Sequence, residues 1–231
     1  MHLLHPMIIC YPKGMDDLDF QKERDRMVTW QIERRGVYDE KVLHAMRSVP
    51  RHEFVPPALQ AESYTDYPIP IGFEQTISQP YIVALMSSLL ELEGDEQVLE
   101  IGSGSGYQAA ILSRLAKRVS GLEIIPDLAD KARVTLGRCG YFNVEIHCQD
   151  GSGGYPKDAP YHGILVAACT PEVPQVLLDQ LHPGGRLVAP VGNRTEQVLQ
   201  IWKKDLEGKI DVTDHIPVAF VPLRGKWGFK A

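Results

Sequence analysis

Val98-Leu99-Glu100-Ile101-Gly102-Ser103-Gly104-Ser105-Gly106-Tyr107 is the stretch that decides the fold. Val98 to Ile101 are mostly branched and apolar, the composition of a central parallel strand covered on both faces. Gly102, Gly104 and Gly106 follow, where the backbone can turn sharply and come close to a ligand with no Cβ in the way. Gln108 to Leu115 then carry Ala, Ile and Leu at helical spacing. The loop therefore opens a helix, whose unpaired N–H groups face whatever occupies the turn.

The glycine spacing narrows the reading. A dinucleotide fingerprint runs G-x-G-x-x-G. Here the third glycine comes one residue early, and Tyr107 stands where that fingerprint has Gly. G-x-G-x-G after an acidic strand resembles motif I of the class I S-adenosylmethionine (SAM) methyltransferases. Val119 to Ile125 reads as the next strand, with Glu123 near its end, 21 residues after Gly102. A carboxylate at that place accepts both ribose hydroxyls of an adenosine. Three glycines in five residues also suit a plain tight turn. The flanking strand, the helix and Glu123 together point to a nucleoside cofactor.

The chain has 231 residues, 44% of them apolar, which suits one α/β domain with an appendage or two small domains. No run approaches the roughly 18 apolar residues of a membrane span. Met1 to Cys10 is apolar but short, lacks a basic start and is cut by Pro6, so it does not read as a signal peptide. Cys10, Cys139, Cys148 and Cys169 show no C-x-x-C spacing, and reduced thiols in a cytoplasm are the simple reading. The eight histidines include no H-x-x-x-H or H-E-x-x-H, so no metal is expected. A net charge of −6 argues against general binding to a phosphate backbone.

Residues 16–36 are dense in charge with Phe20, Met27, Val28, Trp30 and Ile32 interspersed, the pattern of an amphipathic helix with a solvated face. A second helix is expected over 39–49. Five prolines between Pro50 and Pro70 break the chain into turns, so residues 1–75 form an N-terminal helical layer with loops, and 76–231 the α/β domain, the two making one unit. Helices are expected over 80–92, 106–116, 128–139 and 174–181, and strands over 97–102, 119–125, 143–148, 163–168 and, after Pro183-Gly184-Gly185, 186–191. Segments 198–203 and 210–223 read as antiparallel closing strands. This alternation implies a Rossmann-like parallel sheet with helices on both faces, binding its ligand at the carboxyl ends of the strands. The glycine loop, Glu123 and Asp150 all fall at such ends. Asp150, in Gln149-Asp150-Gly151, either accepts from an adenine amino group or makes an Asp-Gly turn.

Gly72-Phe73-Glu74-Gln75-Thr76-Ile77-Ser78-Gln79-Pro80 is the second unusual stretch, with small hydroxyls crowded before a helix. By local rules Ser78 is a good N-cap, with Pro80 in the first turn. Gly72-Phe73 through Thr76-Ile77-Ser78, then Pro80 and Ala84, resembles the signature of the protein-L-isoaspartate O-methyltransferases. The downstream blocks are similar to that family too: Leu99 to Tyr107, Asp150-Gly151, Ala159-Pro160-Tyr161, Val173-Pro174, Leu181 to Leu187, Pro190-Val191-Gly192 and Phe220-Val221-Pro222-Leu223. The likeness covers roughly residues 30–223. The tail after Leu223 and the first thirty residues show no motif we can place.

The resemblance implies that Ser78 is the active-site residue. It implies SAM contacts, leaving S-adenosylhomocysteine, from Gln75, Thr76, Ile77 and Ser78, from the loop residues Gly102, Ser103, Gly104, Ser105 and Gly106, and from Glu123, Ile124, Gln149 and Asp150. Thr76, Ser78 and Val221 would meet the substrate, an isoaspartyl peptide or protein methylated on its free α-carboxyl for repair through a succinimide. Such a carboxylate is already ionised, with a reference pKa near 4, so Ser78 would orient rather than attack. Phe220 to Leu223 and the loop 64–70 are expected walls of the peptide site, while Tyr64, Tyr67 and Trp227 also suit a core. The expected partners include neither nucleic acid nor membrane, and the chain is expected to act as a monomer in the cytoplasm. Two other readings stand: a SAM methyltransferase with a different acceptor, and a non-catalytic module binding SAM or a nicotinamide. Against an amino acceptor, Ala167-Ala168-Cys169-Thr170-Pro171 lacks the N/D-P-P-Y/F turn of the amino-group methylases.

Overall fold

The central strand, β3 (Gln97–Ile101), is buried from its second residue onward, as its branched composition requires. Its side chains alternate between two faces. Val98 joins a core with Ala109, Ile111, Leu112, Val119, Leu128 and Ala132. Leu99 and Ile101 join another with Leu122, Ile164, Val166, Leu177 and Leu178. The computed structural model describes residues 17–230; the expectation for residues 1–10 lies outside them.

Beside β3 run β4 (Arg118–Glu123) and β6 (Tyr161–Val166), both parallel to it. Beyond these lie β5 (Val144–Cys148) and β7 (Leu181–Gly192), also parallel, then the antiparallel β8 (Gln197–Lys204) and β9 (Ile210–Val218). The order is β5-β4-β3-β6-β7-β8-β9. The chain thus walks outward from β3 to β5 and returns to the other side of β3. That reversal opens a crevice at the carboxyl ends of β3 and β6, where open α/β sheets hold ligands. Helices α1 (Asp17–Met27), α2 (Glu40–Ser48), α3 (Pro80–Leu89), α4 (Tyr107–Leu112) and α5 (Pro126–Arg138) contribute to the Val98 core. The opposite face is covered by α6 (Gln175–Asp179) and the chain around Leu223.

Several boundaries differ from expectation for local reasons. A hairpin of β1 (Ile69–Gly72) and β2 (Gln75–Ile77) pairs Ile69 with Ile77 and Pro70 with Thr76, so the boundary expected at residue 75 runs through it. The helix expected to reach Ala116 stops at Leu112, and Asn143 Nδ2 donates to the carbonyls of Ser113 and Ala116 beyond its end. Pro183-Gly184-Gly185 bulges within β7 instead of preceding it: Tyr161 faces Leu181, yet Gly163 faces Arg186. The last strand ends at Val218 rather than Leu223, because the Gln197 side-chain amide pairs with both the N–H and the carbonyl of Phe220 and replaces the ladder. In the charged segment 17–36, α1 gives way to a π turn and a 3-10 turn. Arg24 there is buried, its guanidinium donating to the Arg47 carbonyl at 2.7 Å and to the Tyr64 hydroxyl at 3.2 Å.

Glu100 breaks the apolar run of β3. Its side chain is fully buried, and neither carboxyl oxygen has a hydrogen-bond partner among the described residues. Room comes from Gly121 on β4, where a Cβ would fall 2.5 Å from Ser103 Oγ and from Ile146 Cδ1. Burial pushes the Glu100 carboxyl up from 4.5 to about 7, and the Glu123 charge adds to the rise. A group raised in the folded state contributes stability that is complete below its unfolded pKa and is lost as pH climbs through 7. Glu100→Gln is therefore expected to change stability little at pH 4 and to exceed the native protein by about 3 kcal/mol at pH 8. Denaturant midpoints at the two pH values check this, and an equal difference at both would contradict it.

Candidate active site

The turn after β3 is closed by its own backbone. The Gly102 and Ser103 N–H groups donate to the Leu122 carbonyl at 2.8 and 3.1 Å, and the Gly106 N–H donates to the Ser103 carbonyl at 2.8 Å. Gly106 needs to be glycine twice over. Its φ is +86°, and a Cβ would press within 3.2 Å of Ala132 and Leu136 on α5. Glu123, at the end of β4, spans the loop and the next helix. Its Oε2 accepts from the Gly104 N–H at 2.8 Å and its Oε1 from the Ile125 N–H at 2.9 Å. Each oxygen can accept one more hydrogen bond.

Glu123 lines a crevice together with Gly102, Gly104 and Ile124, faced by Gln75 and Thr76 from the hairpin and by Leu223 and Arg224 from the tail. The crevice holds about 60 Å³, room for about two water molecules.

A second, wider cleft of about 700 Å³ lies alongside. Thr76 and Ser78 form one wall and the chain from Ile216 to Val221 the other, with Arg35 and Tyr81 also lining it. The Arg35 guanidinium lies 3.6 Å above the Tyr81 ring and pairs with Asp66 at 2.9 Å. Thr76, Ala167 and Val221 line both cavities, so the two meet there. Ser78 does not cap α3. Gln79 occupies the cap position without a side-chain bond, and Pro80 begins the helix. The Ser78 side chain is thus left to the cleft.

Ile77 is buried, facing Ile69 in the hairpin. The Ser103 side chain is buried against Gly121. Ser105 lines a separate hollow of about 320 Å³ with Phe54, Val55 and Lys131, and Gly106 holds the N-cap position of α4. Gln149 and Asp150 are exposed, and the crevice wall at that point is Gly151. Tyr64 is buried, whereas Tyr67 and Trp227, which also suited a core, stand 44% and 48% exposed. Sequence reading missed Ala168 and Arg224 as lining residues. Pro222 arrives there because it bridges to Cys169 beyond β6, a pairing with no local signal in the sequence. Among the described residues no group of three or more His, Cys, Asp or Glu side chains is placed to hold a metal, and no helix is long and apolar enough to cross a membrane.

The chain is similar to known proteins over most of its length. The family model for protein-L-isoaspartate(D-aspartate) O-methyltransferase (PCMT) matches residues 22–228, further at both ends than the motifs alone reached. Protein-L-isoaspartate O-methyltransferase 1 of Syntrophobacter fumaroxidans is 54% identical over 213 residues, 92% of this chain and 99% of that one. The protein-L-isoaspartate O-methyltransferase of Methanoculleus marisnigri is 51% identical over 211 residues, 91% of this chain and 95% of that one. A solved protein-L-isoaspartate O-methyltransferase superposes with a TM-score of 0.78 at 30% identity, over 89% of this chain and 67% of its own. Matched over residues 22–228, the chain belongs to the protein-L-isoaspartate (D-aspartate) O-methyltransferase family.

Proposed function

We propose that the protein transfers the methyl group of SAM to the free α-carboxyl of L-isoaspartyl residues in damaged peptides and proteins. The observation that carries this reading is the meeting of the two cavities at Thr76, Ala167 and Val221. One offers a ribose-reading carboxylate and the other a hydroxyl-lined cleft. In the relatives, the activity is stated in their names. The residues present suit the cofactor: Glu123 has two acceptor positions left for a vicinal diol, and the glycine loop admits a backbone-close ligand.

When bound, SAM supplies a methyl group on a sulfonium, open to in-line attack. The chain's part is alignment, and holding two reactants correctly is worth roughly 7–11 kcal/mol of a barrier. Glu123 would hold the ribose and Gly102 and Gly104 would flank the amino-acid end, while Gln75 and Thr76 would close the crevice from the hairpin. The Ser78 hydroxyl would donate to the incoming carboxylate and turn one oxygen toward the methyl group. It must hold this oxygen lightly, because the oxygen loses negative charge as it attacks. No general base is required. The methyl ester loses its methoxy group far more readily than a carboxylate loses oxide, so attack by the neighbouring backbone nitrogen closes a succinimide and expels methanol, which carries away the N–H proton; water then reopens the ring in part to a normal aspartyl link.

A cleft of about 700 Å³ has room for a peptide segment. The thiols of Cys139, Cys148 and Cys169 are unpaired, which supports a cytoplasmic setting.

Incubation with methyl-labelled SAM and paired peptides tests the reading. The isoaspartyl peptide is expected to take label that mild alkali releases, and its aspartyl twin is not. Equal labelling of both, or of neither, would overturn the reading, and alkali-stable label would point to a different acceptor. Ser78→Ala is expected to lower turnover by about 10- to 100-fold, while calorimetric affinity for SAM stays within about threefold. Unchanged turnover would remove Ser78 from the site.

A further inference from the structure

The tail after Leu223 carries no recognisable motif, yet it is built onto the turn that follows β5. The Lys226 N–H donates to Asp150 Oδ2 at 2.8 Å, and the Trp227 N–H donates to Ser152 Oγ at 3.0 Å. Ser152, itself fully buried, gives both its N–H and its hydroxyl to Asp150 Oδ1, at 2.8 and 2.7 Å. Gly225 makes the approach possible. Its φ is +129°, and a Cβ there would fall 2.6 Å from both Asp150 Cγ and Ser152 Oγ, and closer still to Oδ1. The Trp227 ring then lies against Gly153, and the Phe229 N–H returns to the Leu223 carbonyl at 3.0 Å. An exposed carboxylate is thereby held at three points by two separate parts of the chain.

We infer that residues 224–229 form a strap that fixes Asp150 for recognition of the adenine amino group of the cofactor, with Gly225 and Ser152 as positioning residues. This rests on the reading of Asp150 as the adenine acceptor. A carboxylate has about four acceptor positions. Three are filled from within the chain: both on Oδ1 and one on Oδ2. The position left on Oδ2 takes one donor, which an exocyclic amine provides and a 6-oxo group does not. Burial alone would raise the Asp150 carboxyl, but the bonds from Lys226 and Ser152 outweigh it and hold it below its ordinary value. It is thus an ionised acceptor throughout the neutral range. The strap leads straight out of Leu223 and Arg224 in the crevice wall, so the purine turn and the cofactor wall are set by one segment.

The test compares S-adenosylhomocysteine with its 6-oxo counterpart, S-inosylhomocysteine, as competitive inhibitors of the full-length enzyme. The ratio of their inhibition constants reads the contact with the amino group and is indifferent to general loss of stability. The native protein is expected to prefer the adenosyl compound by about tenfold or more. Asp150→Asn, which turns an acceptor into a donor, is expected to abolish the preference. Gly225→Ala and Ser152→Ala are each expected to reduce it at least threefold and to raise the KM for SAM, with kcat within about twofold. If Asp150→Asn erases the preference while both strap variants keep it, the strap is overturned and the adenine reading stands. If Asp150→Asn also keeps it, the adenine reading falls and the strap with it. A lower melting temperature in the strap variants with an unchanged ratio would likewise overturn the inference.

Discussion

The Glu123 carboxylate ties the glycine turn after β3 to the start of α5 through two backbone N–H groups, Gly104 and Ile125. Much of the site follows from that clamp. It sets the turn against the end of β4. It also keeps a nearly buried negative charge satisfied from two sides, with acceptor positions left facing the crevice. Glu100, one strand over, is a second buried carboxyl that interacts with the first. Burial disfavours its ionised form, and the Glu123 charge disfavours it further.

The legible part of the fold was what local chemistry dictates. The branched run at Val98–Ile101, the three glycines and the β/α alternation place the crevice at a strand's carboxyl end, and the structure has it there. Glu123 was legible for the same reason, since strand length and loop spacing position it. The departures arose where distant side chains substitute for backbone pairing. Asn143 meets carbonyls past the end of α4 and Gln197 ends β9. No local pattern encodes either contact. The β1–β2 hairpin was hidden by its turn, where Gly72, Phe73 and Glu74 all take positive φ. Phe and Glu rarely take such a conformation, so nothing at Phe73 or Glu74 announces the turn in the sequence.

Ser78 shows how tertiary context settles a local ambiguity. Its sequence neighbours suit an N-cap, yet the helix begins one residue later on Pro80, and the hairpin delivers Ser78 to the cleft. The tail is the opposite case. It offers no pattern at all, because it acts mainly through backbone N–H groups and a missing Cβ. Both segments, far apart in sequence, enclose the same crevice with the carboxyl ends of β3 and β4. In the proposed function this places donor and acceptor on either side of Thr76 and Val221, where alignment alone serves the chemistry.

The central claim is that Glu123 reads a ribose diol. Calorimetric titration of the native protein with S-adenosylhomocysteine and with its 2′,3′-dideoxyribose analogue tests it most directly. The account predicts binding about 100-fold weaker for the dideoxy compound, as loss of two hydrogen bonds to a charged acceptor entails. Equal affinity for the two would contradict it.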